Sequence, residues 1–160
     1  MARLTRLLIG ANVAVFALEA VSGPRFLARF ALWPVGHFIV AQFDGPVGFK
    51  VWQLITCGFL HASLLHLAIN MYALWMFGSD VERAVGPRHY LILYFASLLS
   101  SSATQLAVVS MITSAGVYPT VGASGAIFGI LLAFGMLFPR RTIVLLIPPI
   151  PMPAIMFEVC

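Results

Sequence analysis

The residues of this sequence whose types and spacing could do chemistry are Ser124, His66 and Asn70. Ser124 lies in the stretch Gly122-Ala123-Ser124-Gly125-Ala126-Ile127-Phe128-Gly129 and is the only hydroxyl-bearing residue between Gly122 and Phe138. Glycine and alanine clear the space around its oxygen, as a serine that must meet a substrate carbonyl requires. His66 and Asn70, one helical turn apart, share a helix face with Ser63 and Ala73 close by, while His61 falls on another face with Tyr72. Attack on a carbonyl builds negative charge on its oxygen, and fixed donors aimed there are worth roughly 3–4 kcal/mol each. Asn70 offers an amide N–H, His66 a ring N–H and Ser124 its own backbone N–H. Each residue alone has a plainer reading. Ser124 would cap or pack a helix, Gly125 and Gly129 would form a GxxxG packing face, and His66 with Asn70 would tie helices together. Their joint occurrence favours acyl transfer.

The composition sets where this chemistry happens. The 160 residues are 61% hydrophobic and 9% charged, with a mean hydropathy of +1.01, against about 45–50% and 25% in soluble domains. A polytopic all-α membrane protein follows, with residues 1–160 as one domain. The net charge of +4 is spread singly and in pairs at the ends of apolar runs, which does not suggest a nucleic-acid partner. No Gly-rich phosphate loop, CxxC or HExxH occurs, so neither a cofactor nor a metal is expected. Cys57 and Cys160 lie far apart in or beside apolar runs and read as small hydrophobes rather than a disulfide.

Spanning about 30 Å of hydrocarbon takes about 20 apolar residues. The first such run is Leu4 to Val21, mildly interrupted by Asn12 and Glu19 and stopped by Ser22-Gly23-Pro24. Arg3 and Arg6 before it, with Ala20-x-Ser22 after, resemble a signal peptide, but further spans follow and a retained helix is expected. Residues 25–53 mix Arg25, Arg29, Asp44 and Lys50 with Phe26, Trp33, Phe38, Phe43 and Trp52 among several prolines and glycines. An ordered interfacial loop with short helices is expected there. Further spans are expected from Thr56 to Phe77, Tyr90 to Met111, Ser124 to Pro139, and from Thr142 onward through a proline-rich stretch. The serines of the third run, Ser97 to Ser102, should face other helices.

Arg3, Arg6, Arg83, Arg88, Arg140 and Arg141 fall on one side of such a bundle, and only Arg25, Arg29 and Lys50 on the other. The positive-inside rule then sets the N-terminus in the cytoplasm, with a bacterial inner membrane as the expected location. His66, Asn70 and Ser124 all come out in the outer half, at one shared depth.

At this point the sequence resembles the rhomboid intramembrane serine proteases. The resemblance rests on Trp52-Gln53-Leu54-Ile55-Thr56, His61-x4-His66-x3-Asn70, Gly78-x3-Glu82-x3-Gly86, Tyr94, Gly122-Ala123-Ser124-Gly125 with Phe128 and Gly129, and the proline-rich Ile147 to Pro153. It implies a helical bundle with five of the usual six spans present, cleavage of transmembrane protein substrates within the lipid bilayer, and no metal or cofactor. It implies Ser124 as nucleophile, His66 and Asn70 as oxyanion donors, His61 as a residue holding the loop, and Phe128 as the aromatic against the general base. Gly122 and Gly125 complete the nucleophile motif. Two positions depart from the family pattern. Gln53 stands where arginine is usual, which should weaken loop contacts. The family's general base is a histidine on a sixth span packed against Ser124, and none of His37, His61, His66 and His89 matches it. Residues 1–160 are therefore expected to be inactive alone. The alternative is a non-catalytic, rhomboid-like pseudoprotease that binds membrane helices. A transporter is disfavoured by the scarcity of charges inside the spans.

Overall fold

The computed structural model describes residues 1–43, 45–111, 117–144 and 151–153, with 142–144 and 151–153 by their backbone. Helix α1 (Arg3–Ser22) fills the first expected span and buries a narrow stripe of Thr5, Leu8 and Asn12, the three- and four-residue spacing of one helix face. Leu7, Val13, Leu18 and Val21 point outward, as lipid-facing residues would. Gly23, at φ +70, ends the helix, and Pro24 opens α2 (Pro24–Phe30), where its missing N–H has no intrahelical bond to lose.

The described residues of the loop over 25–53 form regular structure, as its aromatics suggest. Besides α2 it holds an antiparallel pair, β1 (Phe38–Ile39) with β2 (Pro46–Val47), and it runs into α3 (Gln53–Thr56) and a 3₁₀ turn (Cys57–Phe59). The strands were not expected. Trp33 is fully buried with Phe43 and Val47 in a core of its own. Its indole stands edge-on to Phe43 at 5.2 Å and its Nε1 donates to the Ala28 carbonyl at 3.0 Å.

Helix α4 (Leu64–Ala73) starts later than the apolar run suggests. Ser63 caps it by accepting the His66 N–H at 3.1 Å, and the 3₁₀ turn before it is a separate element. One π-helical turn (Leu74–Gly78) carries α4 into α5 (Ser79–Met111). That helix is bent back on itself at Gly86, which takes φ +80 and ψ 163, followed by Pro87. In a straight helix Gly78 and Tyr90 would be about 18 Å apart. Here a Cβ added to Gly78 would come 2.7 Å from the Tyr90 hydroxyl oxygen, so the segment 87–111 returns alongside the preceding helix.

Helix α6 (Ser124–Leu137) packs on the returning part of α5. A Cβ on Gly125 would collide with Ser101, and one on Gly129 with Ser97. Ser97 and Ser101 therefore face a helix, as expected, whereas Ser100 is exposed and Ser102 meets Cys57 of the 3₁₀ turn. The wall on the Gly125–Gly129 face is thus the returning part of α5. Ala126, Ile127, Ile130 and Phe134 bury another side against Leu67, Met71, Leu74, Tyr94 and Leu98. Phe128, Leu132 and Met136 stay exposed along a third line, so α6 is not enclosed on all sides.

Arg3–Ser22 and Leu64–Met111 are long and apolar enough to cross a membrane, and Ser124–Leu137 is a shorter apolar helix. Beyond Arg141 the described backbone forms β3 (Thr142–Val144) paired antiparallel with β4 (Pro151–Pro153), where a helical span was expected. Proline removes a helix hydrogen bond and clashes with the preceding turn, and this stretch holds Pro148, Pro149, Pro151 and Pro153. Residues 145–150 and 154–160 of that expected span, Cys160 included, lie outside the described residues.

Candidate active site

The approach to Ser124 is fixed by backbone. Leu32 and Thr120 exchange N–H···O bonds at 3.0 and 2.9 Å, and Gly122 N–H donates to the Cys57 carbonyl at 2.9 Å. Gly122 has φ +129, a region that side-chain-bearing residues avoid. A Cβ there would lie 2.8 Å from His66 Cε1, 3.0 Å from His66 Nε2 and 3.7 Å from Ser124 Oγ. Imidazole and hydroxyl thus flank one point, and glycine leaves that point open. Ser124 is the first residue of α6. The N–H groups of the first turn have no intrahelical partner, and the positive end of the helix dipole lies there.

Asn70 follows His66 by one turn of α4 and is 5% exposed. Its Nδ2 is buried with no hydrogen-bond partner among the described residues. Such a donor costs about 1–3 kcal/mol, and native structures seldom keep one without a use. His61 is 1% exposed, and both its ring nitrogens are likewise unpartnered among the described residues. Its ring stands edge-on to His66 at 5.1 Å. The helical-wheel expectation had separated these two histidines. It fails because His61 precedes α4 in backbone that is not helical, where the 100° step does not apply. The His61 N–H donates to Glu19 Oε2 at 3.3 Å, which ties the end of α1 to the site.

The structure therefore gathers Ser124, Gly122, His66 and His61, with Asn70 one turn along from His66. Gly125 faces α5 instead. Phe128, one turn along α6 from Ser124, is 69% exposed. His37 is exposed in the loop, and His89 bonds the Val85 carbonyl beside the Gly86 corner. Among the described residues no cluster of His, Cys, Asp or Glu could hold a metal ion.

Gln53 corrects a second expectation. Rather than weakening the loop, its fully buried amide accepts from Lys50 N–H at 3.0 Å and Trp33 N–H at 3.4 Å. It also donates to the Arg29 and Gly48 carbonyls at 3.3 and 3.4 Å. Glu19 and Glu82 had been assigned no task. A carboxylate inside an apolar run was the available signal for Glu19. Glu82 sits at the other end of the bundle. Its Oε1 accepts from Leu4 N–H at 3.0 Å, and its Oε2 from Thr5 N–H and the Thr5 hydroxyl, both at 2.8 Å.

The Rhomboid domain family matches residues 48–160. The chain is 35% identical over 145 residues to Rhomboid protein 1, mitochondrial, of Saccharomyces cerevisiae, covering 90% of this chain and 39% of that protein. It is 33% identical over 148 residues to Rhomboid-like protein 16, chloroplastic, of Arabidopsis thaliana, covering 84% and 44%. With Rhomboid protease GluP of Bacillus subtilis it shares 42% identity over 80 residues, half of this chain and 14% of that protein. The chain spans less than half the length of these relatives. Their names place two of them in organelles, so the kinship does not single out a bacterial inner membrane.

Proposed function

This chain belongs to the rhomboid family, and from that premise we propose that its site is that of an intramembrane serine endopeptidase acting on transmembrane helices. Ser124 is the nucleophile. His66, Asn70 and the Ser124 N–H are the donors that hold the developing oxyanion, and His61 backs His66. The observation that carries this reading is the open point at Gly122, flanked by the His66 ring and the Ser124 hydroxyl. The unpartnered Asn70 Nδ2 supports it, since a donor held ready is what oxyanion stabilisation requires.

The placement of α6 supports chemistry below the membrane surface. Its 14 residues cover about 21 Å, short of the ~30 Å of hydrocarbon. With Arg140 and Arg141 held at one interface, Ser124 lies well inside the opposite one. Arg3, Arg83 and Arg141 gather near Glu82 and Asp80, the end of the bundle away from Ser124. The positive-inside rule puts that end in the cytoplasm of a multi-pass protein, and we retain the bacterial inner membrane as its site.

Serine needs a base to take its proton. Of the histidines in this sequence only His66 adjoins Ser124, and here it serves as a donor. The family's base lies on a further helix packed at the serine, and the open Phe128–Leu132–Met136 line is the surface that such a helix would cover. The test compares residues 1–160 with a form extended by the base-bearing helix of a rhomboid relative, both reconstituted in bilayers with a transmembrane substrate that has helix-breaking residues near its outer end. The longer form should cut, residues 1–160 should not, and Ser124→Ala should abolish cutting. Cleavage that survives Ser124→Ala would identify another nucleophile. Ser124-dependent cleavage by residues 1–160 would make His66 the base. Substrate binding without cleavage in both forms would make the protein a non-catalytic binder of membrane helices.

A further inference from the structure

Arg29 and Lys50 belong to the small set of basic residues that lie on the Ser124 side of the bundle, against the general trend of the charge. They are 21 positions apart in sequence, yet both line one cavity of about 300 Å³ together with Arg25, Trp52, Gln53, Pro46, Val47 and Gly48. The convergence is built by the fold. The Gln53 amide, fully buried, accepts the Lys50 N–H and donates to the Arg29 carbonyl, so one neutral side chain fixes both cation-bearing segments. The Trp52 indole N–H donates to the same Arg29 carbonyl at 3.1 Å. The Arg29 guanidinium rides over the Phe30 ring at 5.7 Å.

Helix α2 divides its faces to match. Ala28 and Arg29 line the basic cavity. Phe26 and Phe30 line an apolar groove of about 190 Å³ with Val15, Phe59 and Leu60. A short helix with cations on one side and aromatics on the other, beside a half-exposed tryptophan, suits the depth at which headgroups meet acyl chains. Two cations lining one cavity suit a phosphate, which takes charge-assisted bonds from both.

We propose that this cavity binds the phosphate of an anionic phospholipid headgroup. Bound lipid anchors the loop at the bilayer surface on the side where Ser124 opens. The site is separate from the catalytic residues and stands or falls apart from the protease reading. The test uses the whole chain reconstituted in phosphatidylcholine vesicles with or without phosphatidylglycerol, then extracted in mild detergent and weighed by native mass spectrometry. Wild type should keep phosphatidylglycerol in preference to phosphatidylcholine. Arg29→Gln with Lys50→Gln should lower that preference by about fivefold for each cation removed. Arg29→Lys with Lys50→Arg should keep most of it, which separates lost charge from lost folding. Arg88→Gln, at the opposite end, should change nothing. An equal loss in Arg88→Gln, or no loss in the double variant, would overturn the site. Displacement of the retained lipid by inorganic phosphate would show a free-anion site and overturn the lipid assignment.

Discussion

The two ends of this bundle hold buried polar clusters that differ in one respect. At the Glu82 end every polar atom named has a partner. The carboxylate takes the Leu4 and Thr5 N–H groups and the Thr5 hydroxyl, which in turn lies 3.1 Å from the Tyr90 hydroxyl, and Ala2 N–H reaches Ser79. At the Ser124 end, Asn70 Nδ2 and both His61 ring nitrogens are buried without a partner among the described residues. Both clusters join helices distant in sequence, so packing alone does not explain the difference. A satisfied network serves stability. A donor kept unsatisfied costs stability and suits a charge that comes and goes, although Asn12 Oδ1 and the Tyr94 hydroxyl, on α1 and α5, are also unpartnered among the described residues. Under the proposed function, the contrast sets a scaffold end against a site end.

The sharpest way to break the contrast is Ser124→Ala in whichever form of the protein cleaves under the test above. Cleavage should fall by ~10⁶, the scale on which a serine nucleophile acts with its base, while thermal stability stays near wild type. Asn70→Ala should lower kcat by about 10²–10³ and cost little stability, because Nδ2 has no native bond to lose. A melting temperature lowered as much as by Glu82→Ala would show Asn70 to be scaffold. Glu82→Ala should do the reverse. It strands the first N–H groups of α1 and should cost about 3 kcal/mol, read from unfolding in mixed detergent. Equal stability would show the Glu82 cluster to be dispensable. The smallest effect belongs to Arg141→Ala. Arg141 pairs with Asp80 and lies 5.1 Å from the Phe138 ring, but its side chain is 55% exposed, so the change should be within about 1 kcal/mol.

The helices were legible because apolar runs of spanning length leave few readings, and Ser22-Gly23-Pro24 marks one boundary outright. The Ser124 motif was legible because small residues around a lone hydroxyl are unusual. The beginning of α4 was not. Apolarity continues from Thr56 through Phe77, and only the Ser63 cap shows that the helix starts at Leu64. The error carried over to His61, whose place beside His66 depends on backbone that is not helical. Gln53 misled for another reason. Its worth lies in four hydrogen bonds to backbone groups, and neither residue type nor spacing reveals which backbone groups will be near. The pairing of Thr120 with Leu32, which sets the approach to Ser124, joins segments too distant for any local pattern to announce.

The Glu82 carboxylate also bears on the order in which the protein is assembled. The N–H groups it receives lie 78 and 77 positions earlier in the chain. During synthesis α1 is made first, yet its leading turn has no acceptor until Glu82 has emerged and Gly86 has allowed the chain to double back. Until then the first N–H groups of α1 are satisfied by water at the membrane surface, although Leu8 already has Leu67, Met71 and Leu74 of the intervening helix to pack on. The leading turn of α1 is thus locked only once Glu82, far behind it in the chain, has packed against it.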